Sequence, residues 1–381
     1  MNMSECFAFE NLTWPAVAAL PRHIPLVIPL GNGYDLSLLA SQLGNPPQMG
    51  MLPPIPFGWQ GSRLPVAKPL LTNLLDNLLG SLSEDGFTRI YALVPPGLDL
   101  DLKNATQILE FDPLIEEMAA FPAETDLQKV VVIPIGHTEQ HGFHLPLCTD
   151  TLIIEAIGQG VAAAIPTRAL SLPVMPYGVS THRASFAGTL NAGGRPFEDF
   201  WLGVIDTLSV MGFKMIYLVS GHGGNCSFLT NVVKYAGERH PDIFCATAWL
   251  YLSGPQGMRA LEEHRRSSLG GMGHACELET SLMLHLRPDL VNISKAVDET
   301  DFITTPSYYM DWVEGGALIA NPPWEDDSQT GAYGAGSLAT KENGRIWYEA
   351  AVAEKVAHVA EIIEQHQRRL ARRQERRQSP I

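Results

Sequence analysis

Short apolar runs rich in β-branched residues alternate along this chain with longer stretches in which apolar residues recur at helical spacing. The clearest run is Val130 to Ile135, six apolar residues interrupted only in composition by Pro134 and ended by Gly136. Continuous apolarity of that length predicts a strand buried on both faces of a parallel sheet. Comparable runs at Lys214 to Val219 and Phe244 to Leu252 predict further core strands, with a short one at Leu170 to Met175. Between them, 151–167 and Phe197 to Met211 predict amphipathic helices. Gly270 to Leu284 reads as a glycine-rich loop entering a helix, and the chain closes on a turn and a long helix. Strands alternating with helices predict an α/β fold.

The same pattern occurs earlier in the chain. Leu26 to Gly31 matches Val131 to Gly136, Leu52 to Gly58 matches Leu172 to Gly178, and Gly86 to Val94 matches Gly212 to Val219. Three blocks in one order predict an internal repeat. The polar groups that follow the strands differ: Gly31 leads into Asn-Gly-Tyr-Asp, and Val94 into Pro95-Pro96-Gly97. Residues 1–110 are therefore expected to form a degenerate half-copy, a scaffold or interface without chemistry of its own. A connector at 111–128, a catalytic unit at 129–366 and a basic tail at 367–381 complete the expected organisation.

Chemistry gathers after the second-copy strands. His137, Glu139, His141, His144 and Asp150 follow Ile135 on an expected loop. Open α/β sheets place functional groups at the carboxyl ends of strands. A polar surface loop would explain any one of these residues, but their crowding at one strand end predicts a metal site. Imidazole with carboxylate suits Zn, Mn or Fe better than Mg or Ca. Ser220-Gly221-His222-Gly223-Gly224-Asn225 repeats the arrangement after the next strand, with Asn225 expected to cap the following helix. His274, Glu277 and Glu279 open a later helix, where a helix dipole alone would favour acids. The aromatic stretch Thr304 to Asp327, with Trp312 and Trp324, is expected to cover a pocket or pack on a neighbouring subunit.

Composition narrows the partners. A formal charge of −15 speaks against nucleic acid, and the basic run Arg368 to Gln378 is explained by the end of a helix. Five cysteines at irregular spacing make no disulfide framework. There is neither a membrane-length apolar run nor a signal-like start, so a cytoplasmic protein acting on a small molecule is expected.

Four segments together resemble the creatininase (creatinine amidohydrolase) family: Gly136 to Asp150, Tyr177 to Thr189, Ser220 to Asn225 and Gly273 to Ser281, with a weaker match at Gly331 to Arg345. The resemblance implies a three-layer α/β/α fold with a mostly parallel sheet, two divalent metal ions and a homo-oligomer, a hexamer or smaller. It places Glu139, Asp150 and His222 on one metal, and His141 with bridging Asp150 on the other. Where creatininase completes the second metal with a glutamate, this chain has Gly224, so Glu279 is the expected replacement. His274 matches the proton-shuttling residue. Ser180, His182, Arg183, Gly223 and Gly224 would meet substrate. His182 and Arg183 depart from the family's Glu-His, which argues against creatinine itself. His137 and His144 are expected to support or pack. The reaction implied is hydrolysis of a cyclic or other small amide by activated water. Alternatives are carbon–carbon ring opening of a keto-inositol, C-terminal peptide cleavage and formamide hydrolysis. A non-catalytic binding protein would bind no stoichiometric metal. A covalent hydrolase using Ser180 or Cys148 lacks a G-x-S-x-G elbow.

Overall fold

The computed structural model describes residues 4–112, 123–181, 185–312 and 316–378. In chain order the first part comprises β1 (Glu5–Ala8), α1 (Trp14–Ala19), β2 (Leu26–Pro29), α2 (Leu36–Gln42), β3 (Gln48–Met51), α3 (Lys68–Glu84), β4 (Ile90–Val94) and β5 (Gln107–Glu110). The second comprises β6 (Val130–Ile135), α4 (Thr149–Ala164), β7 (Ala169–Ser171), α5 (Gly194–Val210), β8 (Met215–Ser220), α6 (Cys226–Arg239) and β9 (Phe244–Thr247). It continues through α7 (Pro255–His264), β10 (Met272–His274), α8 (Glu277–Leu286), β11 (Tyr333–Gly334) and α9 (Lys341–Gln378). Most of the connector expected before β6 lies outside the described residues.

Two parallel sheets result, ordered β1-β3-β2-β4-β5 and β7-β6-β8-β9. Within the first sheet, β3-β2-β4-β5 follows the same order as β7-β6-β8-β9. Register agrees as well: Leu26 pairs with Ile90 and Val27 with Tyr91, as Val131 pairs with Ile216 and Val132 with Tyr217. Even the isolated bridges correspond, Leu30 with Ile55 and Ile135 with Met175. The three matched sequence blocks thus occupy equivalent places.

Alternation along each strand sorts the core into layers. Val130, Val132, Tyr217 and Val219 face α4, α8 and α9, whereas Val131, Ile133, Ile216 and Leu218 face α5 and α6. Leu26, Ile28, Ile90 and Ala92 of the first sheet join that second cluster through α3. The helices α3 and α5 share a layer between the sheets. Their packing is reciprocal. The Asn191 amide donates to Ser81 Oγ at 3.0 Å, and Thr207 Oγ1 donates to the Pro65 carbonyl at 2.6 Å. Ser81 and Thr207 hold the same place in their helices, as do Pro65 and Asn191 ahead of them, so equivalent positions meet in both directions, the hydroxyl accepting from Asn191 but donating to Pro65, which has no N–H. That is the signature of a two-fold relation.

Several expected boundaries move. The expected strand at Leu170–Met175 is confined to Ala169–Ser171, and that at Phe244–Leu252 ends at Thr247. Leu250, with φ of 49°, turns the chain away from the sheet. The basic tail is not separate: α9 runs unbroken to Gln378, and Arg368–Gln378 are its exposed last turns. Two short strands, β10 and β11, pair antiparallel where only loop was expected. No described helix is long and apolar enough to cross a membrane.

Candidate metal centre

Two strand ends and the first turns of two helices deliver the site. Glu139 and His141 follow β6, and His222 follows β8, its neighbour in the sheet. Asp150 is not on a loop as the sequence suggested but in the first turn of α4, where the helix dipole favours a carboxylate. Helix and strand come close enough because residue 221 is glycine: a Cβ there would sit 2.4 Å from the Asp150 carbonyl. Glu279 enters from the first turn of α8.

The side chains converge. His222 Nδ1 lies 2.9 Å from Glu139 Oε1 and 3.2 Å from Asp150 Oδ2. His141 Nε2 lies 3.1 Å from Asp150 Oδ1 and 3.9 Å from Glu279 Oε1. His274 Nδ1 is 3.5 Å from Glu139 Oε1. All are buried, and no lysine or arginine lines the adjoining cleft among the described residues. The opposite nitrogen of each of these histidines faces a main-chain carbonyl: His222 Nε2 faces Val179 at 3.0 Å, His141 Nδ1 faces Glu139 at 3.1 Å, and His274 Nε2 faces Gln140 at 2.6 Å. Committing the N–H to those carbonyls turns the remaining nitrogen, a lone pair in the neutral ring, towards the carboxylates. Glu139 Oε1 and Asp150 Oδ2 receive no aligned hydrogen bond. Acceptors facing acceptors inside a buried site call for a cation, and the carbonyl-anchored histidine is how metal ligands are aimed. Groups of ligand atoms compatible with one ion include His141–Asp150–Glu279 and Glu139–His141–His274.

Titration follows from the crowding. Burial would lower His141 and His222, but the carboxylates outweigh it, taking His141 to about 9 and His222 well above the imidazole range. Burial opposes ionisation of Glu139, yet His222 and His274 hold it well below the carboxylate range. Burial leads at Glu279 as well, which is pushed up. The buried carboxylates that draw a proton towards His141 and His222 would favour a bound cation for the same reason.

His137 belongs with Glu139 and His222 by distance, its Nε2 lying 3.9 Å from Glu139 Oε2. Its Nδ1, however, accepts the Gly178 amide at 3.0 Å. In the neutral ring Nε2 then carries the proton, so His137 faces Glu139 as a donor and not as a ligand. His144 Nε2 meets Thr280 Oγ1 at 2.9 Å and ties the loop to α8. Glu277, the other acid at that helix start, accepts the amides of Arg266 and Ser267 and braces a loop. Glu279 Oε2 approaches the Cys276 amide at 3.4 Å while Oε1 faces the site.

Asn225 does not cap α6. Its Oδ1 accepts the Val179 amide, and its Nδ2 donates to Gly136 O and Ser220 Oγ, locking together three segments of the site. Gly223 and Gly224 line the cleft; Ser180 is not among its lining residues and is buried, with its hydroxyl unbonded among the described residues. His182 and Arg183 lie outside the described residues. The sequence reading missed Gln140, which donates to the Gly331 carbonyl and accepts from Gly142 N, and whose own carbonyl anchors His274. Its position between two candidate ligands was the available signal. Trp249, Met310, Trp312 and Trp324 wall the cleft, so the aromatic stretch does cover a pocket. Ala275, at φ of 48°, is strained next to His274.

Known proteins place this site in context. The family model described as "Creatininase: Creatinine amidohydrolase" matches residues 116–359, well over half of the chain. A "Mycofactocin precursor peptide peptidase" of Mycobacterium ulcerans is 32% identical over 168 residues, 42% of this chain and 60% of that relative. The "Creatinine amidohydrolase" of Pseudomonas putida is 28% identical over 236 residues, 58% of this chain and 85% of the relative. Among solved structures, a mutant creatininase of "Zn-Zn type" superposes with a TM-score of 0.52 at 25% identity, covering 61% of this chain and 90% of that one.

Proposed function

Because this chain belongs to the creatininase (creatinine amidohydrolase) family of hydrolases, we propose that it hydrolyses the amide bond of a cyclic or other small amide with two divalent metal ions. The observation that carries the reading is the aim of His141 and His222, each held from behind by a carbonyl and facing buried carboxylate oxygens. Glu139, Asp150 and His222 would hold one ion; His141, Asp150 and Glu279 would hold the other. Zn or Mn fits this mixture of imidazole and carboxylate, and the solved relative's printed name specifies zinc. Bound there, the ions supply Lewis acidity that activates water and polarises a carbonyl.

The chain's own groups do the rest. His274, anchored through Nε2 on the Gln140 carbonyl, leaves Nδ1 facing the cleft beside Glu139 to move a proton to the departing nitrogen. Trp249, Trp312 and Trp324 exclude water and present flat apolar faces to the substrate. The backbone at Gly223 and Gly224 supplies polar contacts, and Ser180, His182 and Arg183 are the further substrate contacts that the family resemblance implies. The relatives from Mycobacterium ulcerans and Pseudomonas putida are, by their names, a peptidase and an amidohydrolase, which favours an amide over a ring carbon.

The test combines metal content with turnover. Purified protein loaded with Zn²⁺ or Mn²⁺ should hold about two ions per chain and turn over a member of a panel of cyclic amides, formamides and short peptides. Glu139→Gln and His222→Ala should each lower metal content and abolish turnover. Full turnover by either variant would sink the ligand assignment, and a keto-inositol as the sole substrate would replace the amide reading.

A further inference from the structure

We infer that Trp14, on the first copy and outside the region matched by the family, is a positioning residue for the metal centre. The inference rests on the metal-dependent reading above. Trp14 opens α1 behind Thr13, with Pro15 in the first turn fixing the start of the helix. Its indole reaches three separate segments of the second copy. Nε1 donates to the Thr330 carbonyl at 2.8 Å. The ring meets Phe143 at 5.5 Å between centroids and Phe186 edge-on at 5.3 Å. Phe143 lies in the loop between His141 and Asp150, and Phe186 in the segment that follows Arg183.

Two of these contacts lead on to ligands, Phe143 through the loop that carries it and Thr330 through Gly331 and Gln140. The residue after Thr330 is Gly331, whose carbonyl receives Gln140 Nε2 at 2.8 Å. Gln140 lies between Glu139 and His141, and its carbonyl anchors His274. The backbone just ahead of Trp14 supports the other end of the same loop: the Leu147 amide donates to Leu12 O at 2.9 Å, and the Cys148 amide to Glu10 O at 3.0 Å. Two residues further on is Asp150. Residues 10–14 therefore form a backrest along the ligand loop, with the indole as its wedge. A copy that has lost its own ligands still fixes the geometry of its neighbour's.

The experiment reads metal affinity and needs no substrate. Mn²⁺ is titrated into the full-length protein and its Trp14→Ala, Trp14→Phe and Trp59→Ala variants, with melting temperature recorded with and without the ion. Groups that orient metal ligands typically contribute about 10- to 100-fold in affinity, and about tenfold weakening is expected for Trp14→Ala. Phenylalanine keeps the ring but not the bond to Thr330, so that variant should fall between alanine and wild type. Trp59, an aromatic of the first copy that packs against Gly31, controls for lost stability and should leave Mn²⁺ affinity unchanged. A folded Trp14→Ala with wild-type affinity overturns the inference, as does equal weakening by Trp59→Ala. If the alanine variant does not fold, wild-type affinity in Trp14→Phe overturns it. Failure of the wild-type chain to bind Mn²⁺ or Zn²⁺ instead overturns the metal reading itself.

Discussion

Replacing Gly224 by alanine separates histidines that are aimed from histidines that are merely present. A Cβ at this position would stand 2.4 Å from His222 Nε2 and 2.4 Å from the Val179 carbonyl. Those are the two partners of the contact that fixes the ring. Ordinary contact needs about 3.5 Å, so one or both must retreat by about 1 Å. Overpacking of this kind costs about 1–3 kcal/mol. Here the Val179 backbone is held through its amide, which donates to Asn225 Oδ1, so the imidazole is the part that yields. Turning it away from Glu139 and Asp150 should weaken metal binding about 10- to 100-fold, or about 1.4–2.7 kcal/mol. The assay is competition for Zn²⁺ against a chromophoric chelator. Gly223→Ala is the internal control, because a Cβ there meets nothing within 4 Å. Equal affinity in the two alanine variants would refute the claim that Val179 aims His222. The same clash means that Gly224→Glu should not rebuild the glutamate ligand that creatininase has at this position.

Three further outcomes follow from particular contacts. Glu279→Gln should lower metal affinity with little loss of stability, whereas Glu277→Gln, which weakens bonds to two amides, should do the reverse; chelator competition and urea unfolding read both. Lys355 is fully buried with Glu354 at 2.8 Å. Glu354→Ala leaves that charge unpaired and should cost about 3–5 kcal/mol in denaturant unfolding, while Glu354→Leu with Lys355→Met should recover most of it. Asp85 accepts the Gly188 amide, and burial pushes its carboxyl up to about 6. A raised folded value means that its stabilising contribution is full below the ordinary carboxylate range and fades as pH rises through about 6. Asp85→Asn keeps an acceptor and cannot ionise, so it should be more stable than wild type by about 2 kcal/mol at pH 7.5 and equal to it near pH 3.5; an unchanged difference across that range would rule the linkage out.

Much of this was legible in the sequence because local pattern and global placement agree. The apolar runs at Val130 and Lys214 became adjacent strands, and Glu139, His141 and His222 arrived at their ends because a parallel sheet leaves nowhere else for them. Other features depend on spatial neighbours that sequence spacing does not encode. Asp150 was read as loop because Cys148 gives no side-chain cap to announce the helix. Asn225 looked like a cap, but three buried backbone and hydroxyl partners from β6, β8 and the Val179 segment compete for it and win. The roles of Gln140 and Trp14 are set by partners 134 and 316 residues away. Even His137 and His222, alike in sequence setting, part company over a single amide from Gly178.

The reciprocal contact between α3 and α5 also bears on why a ligand-free copy is present. A two-fold interface uses the same surface on both partners and is closed once made. Here both partners are in one chain, and the contact is built from equivalent residues: Ser81 against Asn191 and Thr207 against Pro65. Phe57 stacks on Phe200, and Tyr177, its counterpart in the second copy, donates back to Pro53. The part of α5 that meets α3 is therefore covered from within the chain, at no cost of association entropy. Any assembly of several chains would have to draw on other surfaces. The first copy keeps this contact because the layer of α3 and α5 joins the two sheets into one core. This role needs no metal ligand from its strands, since the interface uses Ser81, Phe57 and the apolar face of α3.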